Sequence, residues 1–220
     1  MRLLLLRHGQ TPANVAGLLD TGAPGPALTA VGERQAAAVP LALRDRPIGA
    51  LAVSSLLRTS LTVAPLAHDR GVRPLMLAGL NEIEAGDLEM SADHADHYVY
   101  LGTVFAWARG EHDRRMPGGP DGRAFLGRFD RAVERLAGLG EDVVLAVSHG
   151  AAIRSWASAR VRGLDVDEVE HTPLANTGLI EAEGDPDAGW RLVDWQREPV
   201  GGAHLEPVVA DDPTGEPIDE

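Results

Sequence analysis

Leu3-Leu4-Leu5-Leu6-Arg7-His8-Gly9 is the stretch from which the fold can be read. Four leucines in a row, stopped at once by Arg-His-Gly, are too short for a membrane span or for the apolar part of a secretion signal. A short apolar run closed by a glycine reads instead as a buried β-strand. Working outward, Gly22 to Pro26 is a Gly/Pro-rich loop, and Thr29 stands at the N-cap of an Ala/Leu-rich helix running from Glu33 through Arg44. Ile48 to Val53 is a second strand closed by Ser54-Ser55, followed by a helix from Leu56 to Ala67. Arg73 to Leu77 is a third strand. Val143 to Val147 is the clearest strand, and a helix from Ala151 to Val161 follows it. Thr177 to Ala182 and Trp190 to Trp195 form a terminal strand pair around the turn at 184–189.

Strands alternating with helices predict an α/β fold: a three-layer sandwich whose mostly parallel central sheet is flanked by helices. Residues 1–207 read as a single domain. Within it, 91–121 has helical spacing, many polar side chains and a Pro-Gly-Gly-Pro break at 117–120, which predicts an inserted lid over one end of the sheet. The acidic, Pro-rich stretch at 208–220 reads as a disordered tail.

Composition narrows the chemistry. Cysteine is absent, so disulfides, thiolate catalysis and Cys-based zinc sites are excluded. The net charge of −13 argues against nucleic acid as a partner, because a polyanion is repelled unless a basic patch receives it. All 20 basic residues are arginine. Without lysine there is neither a Walker-type phosphate loop nor a Schiff base. A phosphate bound here is therefore held by arginine, histidine and backbone N–H groups. With no membrane segment legible, the expected location is the cytoplasm. Aromatics make up 4 % of residues, which argues against a large aromatic interface and leaves a homo-oligomer through an aliphatic one open.

Three strand ends carry residues suited to phosphate: Leu-Arg-His-Gly (6–9), Ser-Ser-Leu-Leu-Arg (54–58) and Ser-His-Gly (148–150). In open α/β sheets ligands bind outside the carboxyl ends of the strands, so the three can converge on one crevice. Arg7 and Arg58 would grip phosphate oxygens with their planar forks. His8, with its ring fixed by a hydrogen bond at one nitrogen, is a competent nucleophile at the other. His149 would help to stabilise charge on the transferring group. The leaving alkoxide needs a proton, and Glu82, just after the third strand, is the best-placed acid, with Glu84 and Glu89 as rivals.

These segments resemble the signatures of the histidine phosphatase superfamily, in its phosphoglycerate mutase-like branch. Leu-Arg-His-Gly-Gln-Thr-Pro-Ala-Asn (6–14), Ser-Ser-Leu-Leu-Arg-Thr-Ser-Leu-Thr (54–62), Leu80 to Glu89 and Ser-His-Gly-Ala-Ala-Ile-Arg (148–154) occur in the family's order along residues 2–160. The resemblance implies His8 as the phosphohistidine nucleophile and Arg7, Arg58 and His149 as the phosphate pocket. It implies Glu82 as the acid that later activates water, and Asn14 as a phosphate-contacting residue. No metal and no other cofactor is implied. Thr21, Gly22 and Gly150 are further candidate substrate contacts. Where the family commonly has Trp-Glu-Gly, this chain has Leu88-Glu89-Met90, which gives up a glycine's backbone freedom.

The function expected is hydrolysis of a small phosphorylated metabolite. Two alternatives stand beside it: phosphoglycerate mutase-type transfer, which needs a lid able to hold a second anion, and a non-catalytic phospho-ligand module, which needs no acid. Arg109, Arg114 and Arg115 are the insert's basic residues, and the last two could reach a second anionic group. The run Asp93-His94-Ala95-Asp96-His97 puts His94 and His97 on one helix face and raises a metal site, but such a site needs three or four converging ligands, and a polar helical face is usually solvated. Trp107, Trp190 and Trp195 read as packing residues.

Overall fold

The computed structural model describes residues 1–206 and 213–215. Its elements are β1 (Arg2–Arg7), α1 (Pro12–Val15), α2 (Ala30–Ala42), β2 (Ala50–Val53), α3 (Leu57–Arg70), β3 (Leu75–Met76), α4 (His94–Ala108), α5 (Gly122–Ala137), β4 (Val143–Ser148), α6 (Gly150–Arg160), β5 (Val161–Arg162), α7 (Val166–Glu170), β6 (Leu179–Asp185) and β7 (Gly189–Gln196). The strands form one sheet in the order β3-β2-β4-β1-β6-β7-β5. β1, β2, β3 and β4 run parallel to one another, and β6 adds antiparallel to β1.

The leucine run shows why this sheet is covered on both sides. Leu4 and Leu6 enter an aliphatic layer with Val39, Val63, Leu66, Leu145 and Val147, beneath α2 and α3. Leu3 and Leu5 enter the opposite layer with Phe105, Phe129, Val144 and Trp156, beneath α4, α5 and α6. Side chains alternate along a strand, so a strand apolar at every position needs a partner layer on each face. The three-layer α/β sandwich follows.

Several element ends and one whole helix differ from the sequence reading. The helix after β4 stops at Arg160, and Val161–Arg162 pairs parallel with Trp190–Arg191 of β7 as an edge strand. β3 shrinks to two residues. α5, immediately after the insert, was missed. Asp121 caps it by accepting from Ala124 N at 2.9 Å, and Phe125, Phe129, Val133 and Leu136 make its buried stripe. In the insert, α4 packs on α6 and touches the sheet-end loops through Tyr100, whose hydroxyl donates to Ile83 O at 3.0 Å.

Three residues of the stretch expected to be a disordered tail are described. Pro213, Thr214 and Gly215 are buried, and Gly215 O accepts from Leu174 N at 2.8 Å. There the Thr214 hydroxyl accepts from the buried guanidinium of Arg7, Nη2, at 3.1 Å. The rest of that segment, 208–212 and 216–220, lies outside the described residues, as does 207.

Candidate active site

Arg7 ends β1 and His8 follows it; Ser148 ends β4 and His149 follows it. Parallel pairing of the two strands puts Arg7 beside Ser148, and His8 N donates to Ser148 O at 3.0 Å. The His8 and His149 rings consequently stand 5.2 Å apart, centre to centre, at 60°. Gly9 lets the chain turn away here. A Cβ at Gly9 would lie 2.9 Å from Gly32 O in the first turn of α2, so only glycine permits that approach.

His8 is buried, and its Nδ1 lies 2.8 Å from Gly9 O. A carbonyl only accepts, so Nδ1 carries the proton and Nε2 keeps its lone pair. Burial and the neighbouring guanidinium groups of Arg58 and Arg7 hold the His8 pKa well below the usual histidine value. The ring is neutral at physiological pH, with one defined nucleophilic nitrogen.

His149 is placed differently. Its Nδ1 accepts from Arg58 Nε at 3.3 Å, and its Nε2 faces Ser54 Oγ at 2.8 Å. Burial first, and then Arg58 and His8, push its pKa well down. Both ring nitrogens are held within the protein, so in this state His149 orients Arg58 and does not present a free N–H. Arg58 Nη2 donates to Asp20 O at 2.9 Å, and its Nη1 stands 3.7 Å from Asp20 Oδ1. Arg7 Nη1 donates to Leu174 O at 2.7 Å. Both guanidinium groups are buried, which fixes two cations at the carboxyl ends of β1 and β2.

Of the three rival carboxylates, Glu82 is buried at 1 % exposure, whereas Glu84 and Glu89 are exposed. Glu82 Oε1 accepts from Ile83 N at 2.9 Å and from Ala152 N at 2.8 Å, and Oε2 from Ala151 N at 3.3 Å. Its carboxyl therefore sits on the first turn of α6, just past His149. Burial raises its pKa against the pull of those N–H groups, Arg58 and Arg7. A carboxyl poised this way can hold a proton and still give it up.

Asn14 Oδ1 accepts from Thr11 N at 2.9 Å and from Asn176 Nδ2 at 3.4 Å, which turns its NH2 the other way. Thr21 and Gly22 follow Asp20, whose carbonyl Arg58 holds, but their backbone donors are taken: Glu89 Oε1 accepts from Thr21 N at 2.8 Å and from Gly22 N at 3.0 Å, and Oε2 accepts from the Thr21 hydroxyl. Gly150 opens α6 beside Arg7 and Thr214. Arg115 pairs with Asp121 at 3.5 Å, and Arg109 with Asp167 and Glu170. The His94 and His97 rings lie 5.8 Å apart, and no third metal-ligating side chain joins them among the described residues.

Sequence reasoning missed four supporting residues. Ser54 holds His149. Thr62 Oγ1 accepts from Gly9 N at 2.8 Å. Asn176 Nδ2 donates to His8 O at 3.1 Å. Thr177, at φ 61°, donates its N–H to Arg7 O at 3.1 Å. A β-branched residue in the left-handed region costs roughly 1–2 kcal/mol, and strain of that size is tolerated where it caps a functional strand. Ser54 and Thr62 lie within the arginine motif and were findable there; Asn176 and Thr177 carry no local signal.

Residues 3–198 match the histidine phosphatase superfamily (branch 1). The chain is 39 % identical over 218 residues to the PE-PGRS family protein PE_PGRS11 of Mycobacterium tuberculosis; 91 % of this chain is covered, but it spans only 37 % of that protein's length. It is 36 % identical to the adenosylcobalamin/alpha-ribazole phosphatase of Salmonella typhimurium, over 68 % of this chain and 74 % of that one. Among solved structures, a mycobacterial glucosyl-3-phosphoglycerate phosphatase complexed with VO3 superposes with a TM-score of 0.73 at 25 % identity, covering 90 % of this chain and 99 % of that one. With the paired histidines, the two buried arginines and the helix-capped glutamate in place, the chain belongs to the histidine phosphatase superfamily.

Proposed function

We propose that this chain is a phosphomonoesterase that hydrolyses a small phosphorylated metabolite through a phosphohistidine on His8. The observation that carries the reading is the tautomer of His8: Nδ1 donates to Gly9 O, which leaves the Nε2 lone pair for phosphorus. In the first step Nε2 bonds to phosphorus as the P–O bond to the alcohol breaks, and Glu82 delivers its proton to the departing oxygen. In the second, Glu82 takes a proton from water, the hydroxide displaces the phosphoryl group from Nε2, and inorganic phosphate leaves. Arg7, Arg58 and the NH2 of Asn14 balance charge on the non-bridging oxygens throughout. Because those cations supply the positive charge, the reading requires no metal.

Hydrolysis is favoured over mutase-type transfer by the insert's arginines. Arg109 and Arg115 are turned to carboxylates of the protein itself, which leaves the exposed Arg114 alone of the three to meet a second anion. The substrate we assign is accordingly a monoester with one phosphate, the class to which the names of the phosphatase relatives also point. Among the described residues no helix is long and apolar enough to cross a membrane. The test is hydrolysis of p-nitrophenyl phosphate in chelator by the unaltered protein and by His8→Ala. Turnover lost by at least about 10³-fold in the variant is expected for a missing nucleophile. Equal rates would remove His8 from the reaction, and activity that needs an added metal would remove the metal-free mechanism.

A further inference from the structure

We propose that Arg128, on α5, is a positioning residue that sets the carboxyl of Glu82 for proton transfer. The inference rests on the hydrolase reading above, in which Glu82 is the acid. Glu82 lies in an irregular stretch after β3, where no ladder of backbone hydrogen bonds fixes the chain. Its carbonyl groups are nevertheless held one after another by side chains. Arg128 Nη1 donates to Gly79 O and to Asn81 O, each at 2.8 Å, and Nη2 donates to Glu82 O at 2.5 Å. Ser148 Oγ takes Leu80 O at 2.7 Å, and the Tyr100 hydroxyl takes Ile83 O at 3.0 Å. A single guanidinium thus holds three of the five consecutive carbonyls from Gly79 to Ile83, including that of the acid itself.

The guanidinium is fixed in its turn. It lies over the Phe125 ring at 5.1 Å, one helical turn earlier on α5. The helix comes this close because Gly79 has no side chain: a Cβ there would lie 2.5 Å from Arg128 O. The planar fork with several donors is what the task needs, since lysine offers one point of charge and cannot span carbonyls on three residues. Glu82 has to meet an oxygen in the pocket while its carboxyl rests on Ala151 N and Ala152 N, and a shift of about 1 Å in such a group costs on the order of 10²-fold in rate. The hydrogen bonds of Arg128 all end on backbone carbonyls, that of Glu82 among them, so its effect on the reaction passes through the acid.

That route has a signature that loosened packing lacks. Proton donation matters little for p-nitrophenolate, which leaves unaided, and more for p-methoxyphenolate. Measured as kcat/KM over a series of aryl phosphates between these two, Arg128→Met is expected to lose less than about threefold at the nitro end and tenfold or more at the methoxy end, within the range of general acid catalysis. Arg128→Lys, which keeps the charge and gives up the fork, is expected to fall between Met and the unaltered protein, and it carries the test should the Met variant not fold. Asp130→Asn, on the same helix but bonded to Trp156 and Arg160, is the structural control and should change the series evenly. An even loss across the series in Arg128→Met, or an Arg128→Lys protein indistinguishable from the unaltered one at the methoxy end, overturns the proposal while leaving the hydrolase reading intact. An unaltered protein that cleaves no member of the series overturns both.

Discussion

At the floor of the pocket, Arg7, His8, Ser148 and His149 leave the ends of two parallel strands, and all four side chains are buried. The rim is made otherwise. Residues 19–22 and 88–91 belong to no extended element and are laced together by Leu19 N to Ser91 O at 3.0 Å, Met90 N to Leu19 O at 2.9 Å and the Glu89 carboxylate on Thr21 and Gly22. On the floor, residue identity sets the chemistry, because regular strands deliver whatever side chain follows them. At the rim, backbone conformation sets the shape, through hydrogen bonds that run from one stretch of the chain to the other.

The largest expected effect tests whether the floor includes Glu82. Glu82→Gln keeps the shape and removes the proton, so kcat for a poor leaving group should fall by about 10²–10⁴-fold. Glu84→Gln, at an exposed position, should cost less than about threefold, within the scatter of surface changes. Steady-state rates on phenyl phosphate for the two variants decide it, and a reversal of the order would move the acid to the rim.

A second effect comes from the same burial and appears in stability. His8 and His149 both have folded-state pKa values well below 6.5. As pH falls from 7 toward 5.5, the unfolded chain takes up protons that the folded chain refuses, so stability must fall with pH across that window. Two such histidines give a slope of at most about 2.7 kcal/mol per pH unit. Glu82, whose pKa is raised, works against this at the acid end, where the folded state holds the extra proton. Urea unfolding of the unaltered protein and of His149→Asn from pH 7 to 5.5 should show the shallower dependence in the variant. Parallel curves would mean that His149 titrates normally.

How much of this was legible in the sequence divides along the same line. The leucine run and the strand-end motifs placed β1, β4 and their residues, because apolar strands and their carboxyl ends are local signals. Glu82 could be preferred over Glu84 from its position, but its seat on α6 is a contact 70 residues away in sequence and had no local trace. α5 had a trace that went unread: Asp121 at the N-cap and apolar residues at 125, 129, 133 and 136. The roles of Asn176, Thr177 and Thr214 come from chain crossings near β1 and from the return of the chain to Arg7. No pattern within one segment encodes these.

The smallest effect probes the rim. Met90 sits at φ 63°, the left-handed conformation for which the common glycine of that position would be suited. The sequence departure is therefore real in the backbone: the chain keeps the turn and bears the strain of a side chain there. Met90 is half exposed and its N–H is bonded to Leu19 O, so Met90→Gly removes strain without emptying the core. Relief of roughly 1 kcal/mol is partly cancelled by glycine's greater freedom in the unfolded chain, leaving a gain of a few tenths of a kcal/mol. Met90→Val should instead lose about 1 kcal/mol, since a β-branched side chain tolerates the left-handed region poorly. Thermal unfolding of the pair measures the difference, and kcat on p-nitrophenyl phosphate should stay within about twofold for both, as expected of surface positions away from the chemistry. A Met90→Gly protein that loses stability would show that the Met90 side chain itself, through packing the rim requires, holds the turn in place.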